Sequence, residues 1–357
     1  MINLANKQIQ AMQPYSPPIE NRRAYRGLLL DFSERAVPPS QKVLDALKDF
    51  LIEPRLQLYP EYGDICEAIA KYAGVPPAQI MITNGSDQGI DLIFRTFTKS
   101  GDRVVIPKPS FAMFYQCSQI ENNNLAAVNY REDFSYPLEK TLTEIEKGAR
   151  LVVVCNPNNP TGTLTSLQDV EIILRRALDN DAMVYVDEAY YEFAGVTAVP
   201  LLKKYPNLVI TRTFSKAFGL VALRIGYVVA REEYIKEFLK VRGAYDINMP
   251  AGVAVRAALM DLKSVKKYVD EVMNKAKPMV EKFFRANGVI FYPSAANFIL
   301  FRPDNPVETN KKLLDGGIRL RVRQEPEIKG TIRLSIGTVK QMKKFIEVYS
   351  RLSFRAK

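Results

Sequence analysis

Runs of apolar, largely β-branched residues alternate with helical segments through the middle of this 357-residue chain. Strands that are apolar along their whole length are typical of a mostly parallel sheet that helices cover on both faces. The fold class is therefore predicted as α/β. The predicted strands are 80–83, 103–106, 151–155, 183–187, 208–213 and 225–229, and the helices between them include 86–97, 110–119, 167–178 and 232–241.

The alternation stops at residues 243–250, and a long helical region at 264–287 follows. A chain of this length exceeds one ordinary core, so we expect a large domain with a smaller companion. We predict a large domain of residues 45–245 and a small α+β domain, residues 246–357, against which a proline-rich arm, residues 1–44, packs. The strands of the small domain are predicted at 289–292, 297–301, 318–322 and 331–335, and a closing helix begins at Val339.

The composition excludes several classes of site. The chain contains no histidine, which rules out Ser-His-Asp and Cys-His nucleophiles and histidine-ligated metals. Proton transfer must therefore fall to lysine, tyrosine, aspartate or glutamate. The three cysteines are too few and too scattered for a disulfide framework or a zinc cluster, so no metal site is predicted.

Charge and hydropathy bear on partners and location. The net charge of +11 could suggest nucleic acid, but the basic residues are dispersed, and their densest patch is Arg319, Arg321 and Arg323. Alternating along a strand, these three would share one face, which suits a small anionic ligand. Taken singly, Arg319 and Arg323 are expected to be solvated or interdomain. No apolar run approaches the roughly 18 residues of a membrane helix, and the N-terminus lacks a secretion signal. We expect a cytoplasmic protein without a nucleic-acid or membrane partner.

Four polar motifs directly follow predicted strands. In open α/β sheets the ligand crevice lies at the carboxyl ends of the strands. We therefore expect the four motifs to meet in one binding site. They are Asn84-Gly85-Ser86, residues 156–162, residues 187–190 and Ser215-Lys216.

Lys216 and Asp187 suggest the chemistry of that site. Ser215 precedes Lys216 and Arg224 follows it, and together they can hold a phosphate with a hydroxyl and a guanidinium. A lysine beside a phosphate anchor can bond a cofactor aldehyde, and a buried aspartate can pair with a pyridinium nitrogen. The order and spacing of the motifs therefore indicate a pyridoxal phosphate site. Taken singly, Asp187 could cap a helix, and residues 156–162 could be a plain turn.

With these motifs, the chain resembles the fold-type I aminotransferases of class I/II, most closely the histidinol-phosphate aminotransferases, from about Tyr15 to Ser350. The resemblance rests on Asn-Pro-Asn-Asn-Pro-Thr-Gly at 156–162, Asp-Glu-Ala-Tyr at 187–190, and Ser-Lys-Ala-Phe at 215–218 with a downstream arginine. It implies a mostly parallel seven-stranded sheet in the large domain, pyridoxal 5′-phosphate as cofactor, and a homodimer with shared active sites.

The resemblance also implies a role for each residue around the cofactor. It makes Lys216, Asp187 and Tyr190 catalytic, with Lys216 bonding the cofactor aldehyde and Asp187 pairing with the ring nitrogen. Phe111 would stack on the ring, although it could also be a core residue, and Tyr59 would reach the cofactor phosphate of the neighbouring subunit. The implied cofactor-binding residues are Gly85, Ser86, Asp87, Phe111, Asn159, Asp187, Tyr190, Ser215, Lys216, Arg224 and Tyr59.

On the substrate side, the resemblance implies that Arg333 clamps the α-carboxylate, that Arg321 faces the far end, and that Tyr15 of the arm closes over the ligand. Asn159 is implied as a further substrate-binding residue. The implied substrates are an amino acid or amino alcohol phosphate and 2-oxoglutarate. The leading hypothesis is transamination of L-histidinol phosphate in histidine biosynthesis. In the arm, residues 33–36 are Ser-Glu-Arg-Ala, where the family usually has Asn-Glu-Asn-Pro. The alternatives are an aromatic amino acid aminotransferase, a threonine-phosphate-type decarboxylase and a basic nucleic-acid-binding protein.

Overall fold

The computed structural model describes residues 4–353 of the chain. Within them, the strands are β1 Leu28–Leu29, β2 Ile80–Thr83, β3 Arg103–Lys108, β4 Asn124–Asn129, β5 Ala149–Cys155, β6 Met183–Asp187, β7 Leu208–Thr213, β8 Gly226–Ala230, β9 Ile290–Tyr292, β10 Phe298–Arg302, β11 Ile318–Arg319, β12 Arg321–Val322 and β13 Ile332–Ser335. The α-helices are α1 Lys7–Gln10, α2 Gln41–Ile52, α3 Gly63–Ala73, α4 Gly85–Phe97, α5 Ala112–Ile120, α6 Leu138–Glu146, α7 Leu167–Leu178, α8 Tyr191–Ala194, α9 Glu232–Val241, α10 Met249–Leu259, α11 Leu262–Asp270, α12 Lys277–Ala286, α13 Pro306–Asp315 and α14 Val339–Ser353.

Seven of these strands form the central sheet, in the order β2-β8-β7-β6-β5-β3-β4. Strand β8 runs antiparallel to β2 and β7, and the other neighbours are parallel. The prediction of a mostly parallel seven-stranded sheet is confirmed. Two details differ from the strands predicted by the sequence. Strand β8 reverses direction, which an apolar composition cannot reveal, and β4 alternates exposed and buried residues instead of forming an apolar run.

Both faces of the central sheet are buried. Along β5, Leu151, Val153 and Cys155 join a hydrophobic cluster on one face, while Val152 and Val154 join a second cluster on the other. Residues of α4 and α9 belong to the first cluster, and residues of α6 and α7 belong to the second. Because alternate side chains of a strand point to opposite faces, burial on both sides explains why these strands are continuously apolar.

A four-stranded antiparallel sheet, in the order β12-β13-β10-β9, forms the centre of the C-terminal region. Phe284 of α12 packs against Phe301 of β10, with ring centroids 4.9 Å apart, and against Phe345 of α14 at 6.1 Å. The predicted helical region 264–287 is present as α11, a π-helical turn at Glu271–Ala276, and α12. The expected smaller sheet with its covering helices is therefore present.

The N-terminal arm joins the C-terminal region through a third, two-stranded sheet, in which β1 pairs in parallel with β11. The prediction of one strand at 318–322 is wrong, because β11 and β12 belong to different sheets. Arg319 pairs with Asp31 of the arm at 3.3 Å. It therefore does not share one face of a single strand with Arg321 and Arg323.

Helix α10 lies just beyond the predicted domain boundary at residue 245, yet it packs against α2 and α3. The approach to α3 is close, since a Cβ at Gly252 would lie 2.3 Å from Cδ1 of Ile65. The division into residues 45–245 on one side, and the arm with residues 246–357 on the other, stays a prediction.

Candidate active site

One cavity lies at the carboxyl ends of the parallel strands, between the central sheet, the small sheet and the arm. The loops that follow β3, β5, β6 and β7 contribute to it, as do β12, β13 and the arm. Its lining therefore combines residues from distant parts of the chain. The lining residues are Tyr15, Phe32, Ser110, Phe111, Ala112, Asn159, Tyr190, Lys216, Arg321, Arg323, Glu325 and Arg333.

Lys216 is half-buried in this cavity. Its Nζ donates a hydrogen bond to the Phe32 carbonyl oxygen at 3.0 Å and lies 5.6 Å from the centroid of the Tyr190 ring. Burial, together with the charge of Arg333, lowers the pKa of the Lys216 ammonium from 10.5 to about 8. An appreciable fraction of this lysine is therefore a neutral, nucleophilic amine near neutral pH.

Asp187 ends β6 and is 2% exposed. Its Oδ1 accepts a hydrogen bond from the Ala189 N–H at 2.8 Å. Burial raises the pKa of the Asp187 carboxyl from 3.8 to about 7. In the part of the chain that the structure describes, no cationic side chain lies within 4.0 Å of this carboxylate. A buried carboxylate without a cationic neighbour would be stabilised by a positively charged ligand group. A protonated ring nitrogen is such a group.

The N-terminus of α4 and Arg224 form a corner suited to an anion. Arg224 donates to Ser215 Oγ at 3.2 Å and to Asp87 Oδ2 at 3.0 Å. Gly85 begins α4 with a φ of +68°, and a Cβ at this position would lie 2.5 Å from a terminal nitrogen of Arg224. Only glycine allows this approach. A hydroxyl, a guanidinium and the backbone N–H groups of Gly85, Ser86 and Asp87 at a helix N-terminus form a donor set that fits a phosphate.

The combination of an amine with a lowered pKa, a buried carboxylate and an anion-binding corner fits pyridoxal phosphate. These three parts match the aldehyde, the ring nitrogen and the phosphate of that cofactor. Lys216 could hold the aldehyde carbon and Asp187 the ring nitrogen. Ser215, Arg224 and the first turn of α4 could hold the phosphate.

Two arginines lie opposite each other on neighbouring strands of the small sheet. Arg321 of β12 is the antiparallel partner of Arg333 of β13. Arg333 is 3% exposed, and it donates to Asn159 Oδ1 at 2.5 Å and to the Asp31 carbonyl oxygen at 2.8 Å. Burial lowers the pKa of its guanidinium to about 10, so the group stays charged at neutral pH. Like charges directly opposite one another destabilise a sheet, and a bound anion would relieve that repulsion.

Among the predicted aromatic residues, Phe111 and Tyr15 line the cavity and Tyr59 does not. Phe111 lies at the N-cap of α5, edge-on to Phe114 at 5.7 Å. Tyr59 is 74% exposed and stacks on Tyr245 with ring centroids 4.1 Å apart. The predicted contact of Tyr59 with a neighbouring subunit involves a second chain and stays a prediction.

The predicted site residues do not include five residues that line the cavity: Phe32, Ser110, Ala112, Arg323 and Glu325. Arg323 is expected from the sequence to be solvated or interdomain. The first alternative is wrong, because Arg323 is 7% exposed and pairs with Glu325. Ser110 could have been found, since it follows β3 directly and precedes Phe111. No local motif marks Phe32.

The chain belongs to the family of class I and II aminotransferases, which it matches over residues 27–348. Among its relatives, the histidinol-phosphate aminotransferase of Caldanaerobacter subterraneus subsp. tengcongensis is 34% identical over 343 residues, which are 94% of this chain and 95% of that protein. The histidinol-phosphate aminotransferase of Roseiflexus castenholzii is 33% identical over 368 residues, with 98% of both proteins covered.

Among solved structures, histidinol-phosphate aminotransferase from Sinorhizobium meliloti, in complex with pyridoxal-5′-phosphate, has a TM-score of 0.87. Its sequence identity is 25%, and the match covers 99% of both chains. The predicted fold class and family are confirmed. Membership of this family also supports pyridoxal phosphate as the cofactor that the site residues accommodate.

Proposed function

We propose that this chain transfers an amino group between L-histidinol phosphate and 2-oxoglutarate, with pyridoxal phosphate as cofactor. The observation that carries the proposal is the position of Lys216 in one cavity with Arg321 and Arg333. The same cavity thus contains the Lys216 amine, which suits proton transfer, and two guanidinium groups, which suit an anionic substrate group. The names of the relatives support the choice of substrate.

Lys216 has two tasks in this proposal. It would hold the cofactor aldehyde, and its amine would take the proton from the substrate Cα. When bound, pyridoxal phosphate withdraws electrons from Cα, which makes that proton easier to remove. The lowered pKa of Lys216, about 8, leaves the amine able to accept the proton. Because the chain has no histidine, one lysine serving both tasks is consistent with its composition.

The surrounding residues orient the cofactor. Asp187 would keep the ring nitrogen protonated, and Asn159 and Tyr190 would donate hydrogen bonds to the phenolic oxygen. Phe111 would stack on the ring. Within the same subunit, the phosphate would be held by Gly85, Ser86, Asp87, Ser215 and Arg224.

Arg333 and Arg321 bind the anionic group next to the substrate Cα. In an amino acid this group is a carboxylate, and in histidinol phosphate a phosphate ester takes its place. The sequence analysis assigned Arg321 to the far end of the substrate. Because Arg321 is the cross-strand partner of Arg333, we propose instead that both guanidinium groups contact the same anion. Tyr15, which is 38% exposed in the arm, would close over it.

We also propose a cytoplasmic homodimer in which Tyr59 contacts the cofactor phosphate of the partner subunit. Tyr59 belongs to an exposed apolar segment, and such a surface favours burial against a second subunit. Among the described helices, none combines the length and the apolar character needed to cross a membrane. The other exposed members of the segment are Leu51, Ile52, Leu56 and Leu58.

The test is an assay of the purified enzyme with glutamate and imidazole-acetol phosphate, followed through formation of 2-oxoglutarate. Lys216→Ala is expected to abolish turnover and covalent trapping of the cofactor by borohydride, whereas Lys236→Ala, at an exposed lysine, should retain both. Failure of the wild-type enzyme with this pair, together with turnover of phenylpyruvate, would favour an aromatic amino acid aminotransferase. Release of carbon dioxide without a second oxo acid would indicate a decarboxylase.

A further inference from the structure

Three guanidinium groups line the active-site cavity, and only one of them pairs with a carboxylate. Arg323 Nε donates to Glu325 Oε2 at 3.1 Å, and a terminal nitrogen of Arg323 contacts Glu325 Oε1. Within residues 4–353, no carboxylate lies within 4.0 Å of the guanidinium groups of Arg321 and Arg333. Together the three arginines and Glu325 give this wall of the cavity a net charge of two positive units.

The two partners of this ion pair differ in burial. The side chain of Arg323 is 8% exposed, and that of Glu325 is 42% exposed. A buried guanidinium without a counter-ion is costly to the folded state, so Glu325 stabilises the cavity when no other anion contacts Arg323. An exposed carboxylate is well hydrated when it leaves its partner. Glu325 can therefore be displaced at low cost when another anion contacts Arg323.

A second cavity provides the space for this displacement. It has a volume of about 940 Å³ and lies between the arm and the β11–β12 segment. Both Arg323 and Glu325 line this larger cavity as well as the active-site cavity. Open space therefore lies beside the Glu325 carboxylate, and on turning into it the carboxylate would leave Arg323 and the Gln324 N–H, which donates to Oε2 at 3.1 Å.

The proposed reaction requires one cavity to hold two kinds of anion. The α-carboxylate of glutamate carries one negative charge, and a phosphate ester carries nearly two at neutral pH. We propose that Glu325 is a displaceable counter-ion, which stays on Arg323 when a carboxylate substrate is bound and yields Arg323 to the phosphate of a phosphate-ester substrate. This inference rests on the proposed function. It makes Arg323 and Glu325 specificity-determining residues, which discriminate between monoanionic and dianionic ligands.

The test measures the dissociation constants of propyl phosphate and butyrate for the holoenzyme by titration calorimetry at pH 8. The two probes share a propyl chain and differ in charge, and neither has an amino group that could react. Arg323→Gln is expected to weaken propyl phosphate roughly ten-fold or more, but butyrate by less than about three-fold. Glu325→Gln is expected to tighten propyl phosphate by roughly three- to ten-fold and to leave butyrate almost unchanged. This gain of affinity keeps the test decisive, because poor folding cannot produce it.

Glu327→Gln is the matched control. It removes a carboxylate two residues further on, which pairs with Lys108 at 2.9 Å and not with Arg323, so both constants should stay within about two-fold. Equal effects of Glu325→Gln and Glu327→Gln would overturn the inference. Selective phosphate binding that neither Arg323→Gln nor Glu325→Gln alters would overturn this inference alone. Wild-type binding of butyrate as tightly as propyl phosphate would contradict the proposed substrate, and the inference with it.

Discussion

Replacing Asp187 by asparagine is expected to stabilise the cofactor-free protein, although it should remove transaminase activity. Burial raises the pKa of the Asp187 carboxyl from 3.8 to about 7. The folded state therefore holds this proton more tightly than the unfolded chain does, and the stability linked to this group is lost as the pH rises from about 4 to about 7. Asparagine has nearly the same shape and keeps an oxygen for the Ala189 N–H, but it does not titrate.

The magnitude follows from the two pKa values. Each unit of difference between the folded and unfolded states corresponds to about 1.4 kcal/mol. With a pKa of 3.8 in the unfolded chain and about 7 in the folded one, the carboxyl destabilises the folded state by about 4 kcal/mol at pH 8 and about 1.7 kcal/mol at pH 5. The advantage of Asp187→Asn over the wild type should therefore be about 2.5 kcal/mol larger at pH 8 than at pH 5.

Urea unfolding of both cofactor-free proteins, followed by circular dichroism at pH 5 and pH 8, measures this difference. Comparing the variant with the wild type at each pH cancels other titrating groups, such as Glu192, whose pKa burial also raises to about 7. With pyridoxal phosphate bound, the wild type should regain stability at pH 8, because its carboxylate then faces a cation. A variant whose advantage is the same at both pH values would refute the reasoning that burial sets the pKa of Asp187.

Two further substitutions test the cofactor corner and the core. Gly85→Ala is expected to weaken cofactor binding by roughly ten-fold or more, because the added Cβ would lie 2.5 Å from an Arg224 nitrogen. Fluorescence titration with pyridoxal phosphate measures the loss. Gly74→Ala is the control, since Gly74 has a similar φ of +73° and nothing lies within 4 Å of its Cβ position. Arg212→Met is expected to destabilise the protein by about 3–5 kcal/mol in urea unfolding. The reason is that the Glu188 side chain, which is 1% exposed, would lose its cationic partner at 2.8 Å. A destabilisation below about 1 kcal/mol would contradict this.

The strands that precede the predicted site motifs could be identified from the sequence because their signal is local. Strands β6 and β7 have the predicted bounds, 183–187 and 208–213. Every residue of both strands is buried, and the apolar residues 183–186 and 208–210 mark where each strand begins. A motif that directly follows such a strand can lie only at one edge of a parallel sheet. For this reason Lys216 and Asp187 could be placed near each other from the sequence alone.

The arm and the charged wall of the cavity could not be predicted in this way, because they depend on contacts between distant residues. Phe32 accepts its hydrogen bond from Lys216 across 184 positions, and Asp31 accepts one from Arg333 across 302. The sequence favours a solvated or interdomain position for Arg323, because charged residues seldom lie inside proteins. Its burial becomes apparent only when β12 is paired with β13 and Glu325 is seen beside it.

The short arm segment 31–35 connects the two working ends of the enzyme. The Asp31 carbonyl oxygen accepts a hydrogen bond from Arg333, and the Phe32 carbonyl oxygen accepts one from Lys216. Arg35 donates to the carbonyl oxygen of Ala217 at 2.9 Å, directly beside the lysine. In the proposed function, substrate binding by Arg333 and proton transfer by Lys216 would thus both depend on this segment. An enzyme that received the arm of a relative would therefore be expected to acquire a different ligand preference and a different catalytic rate in the same exchange.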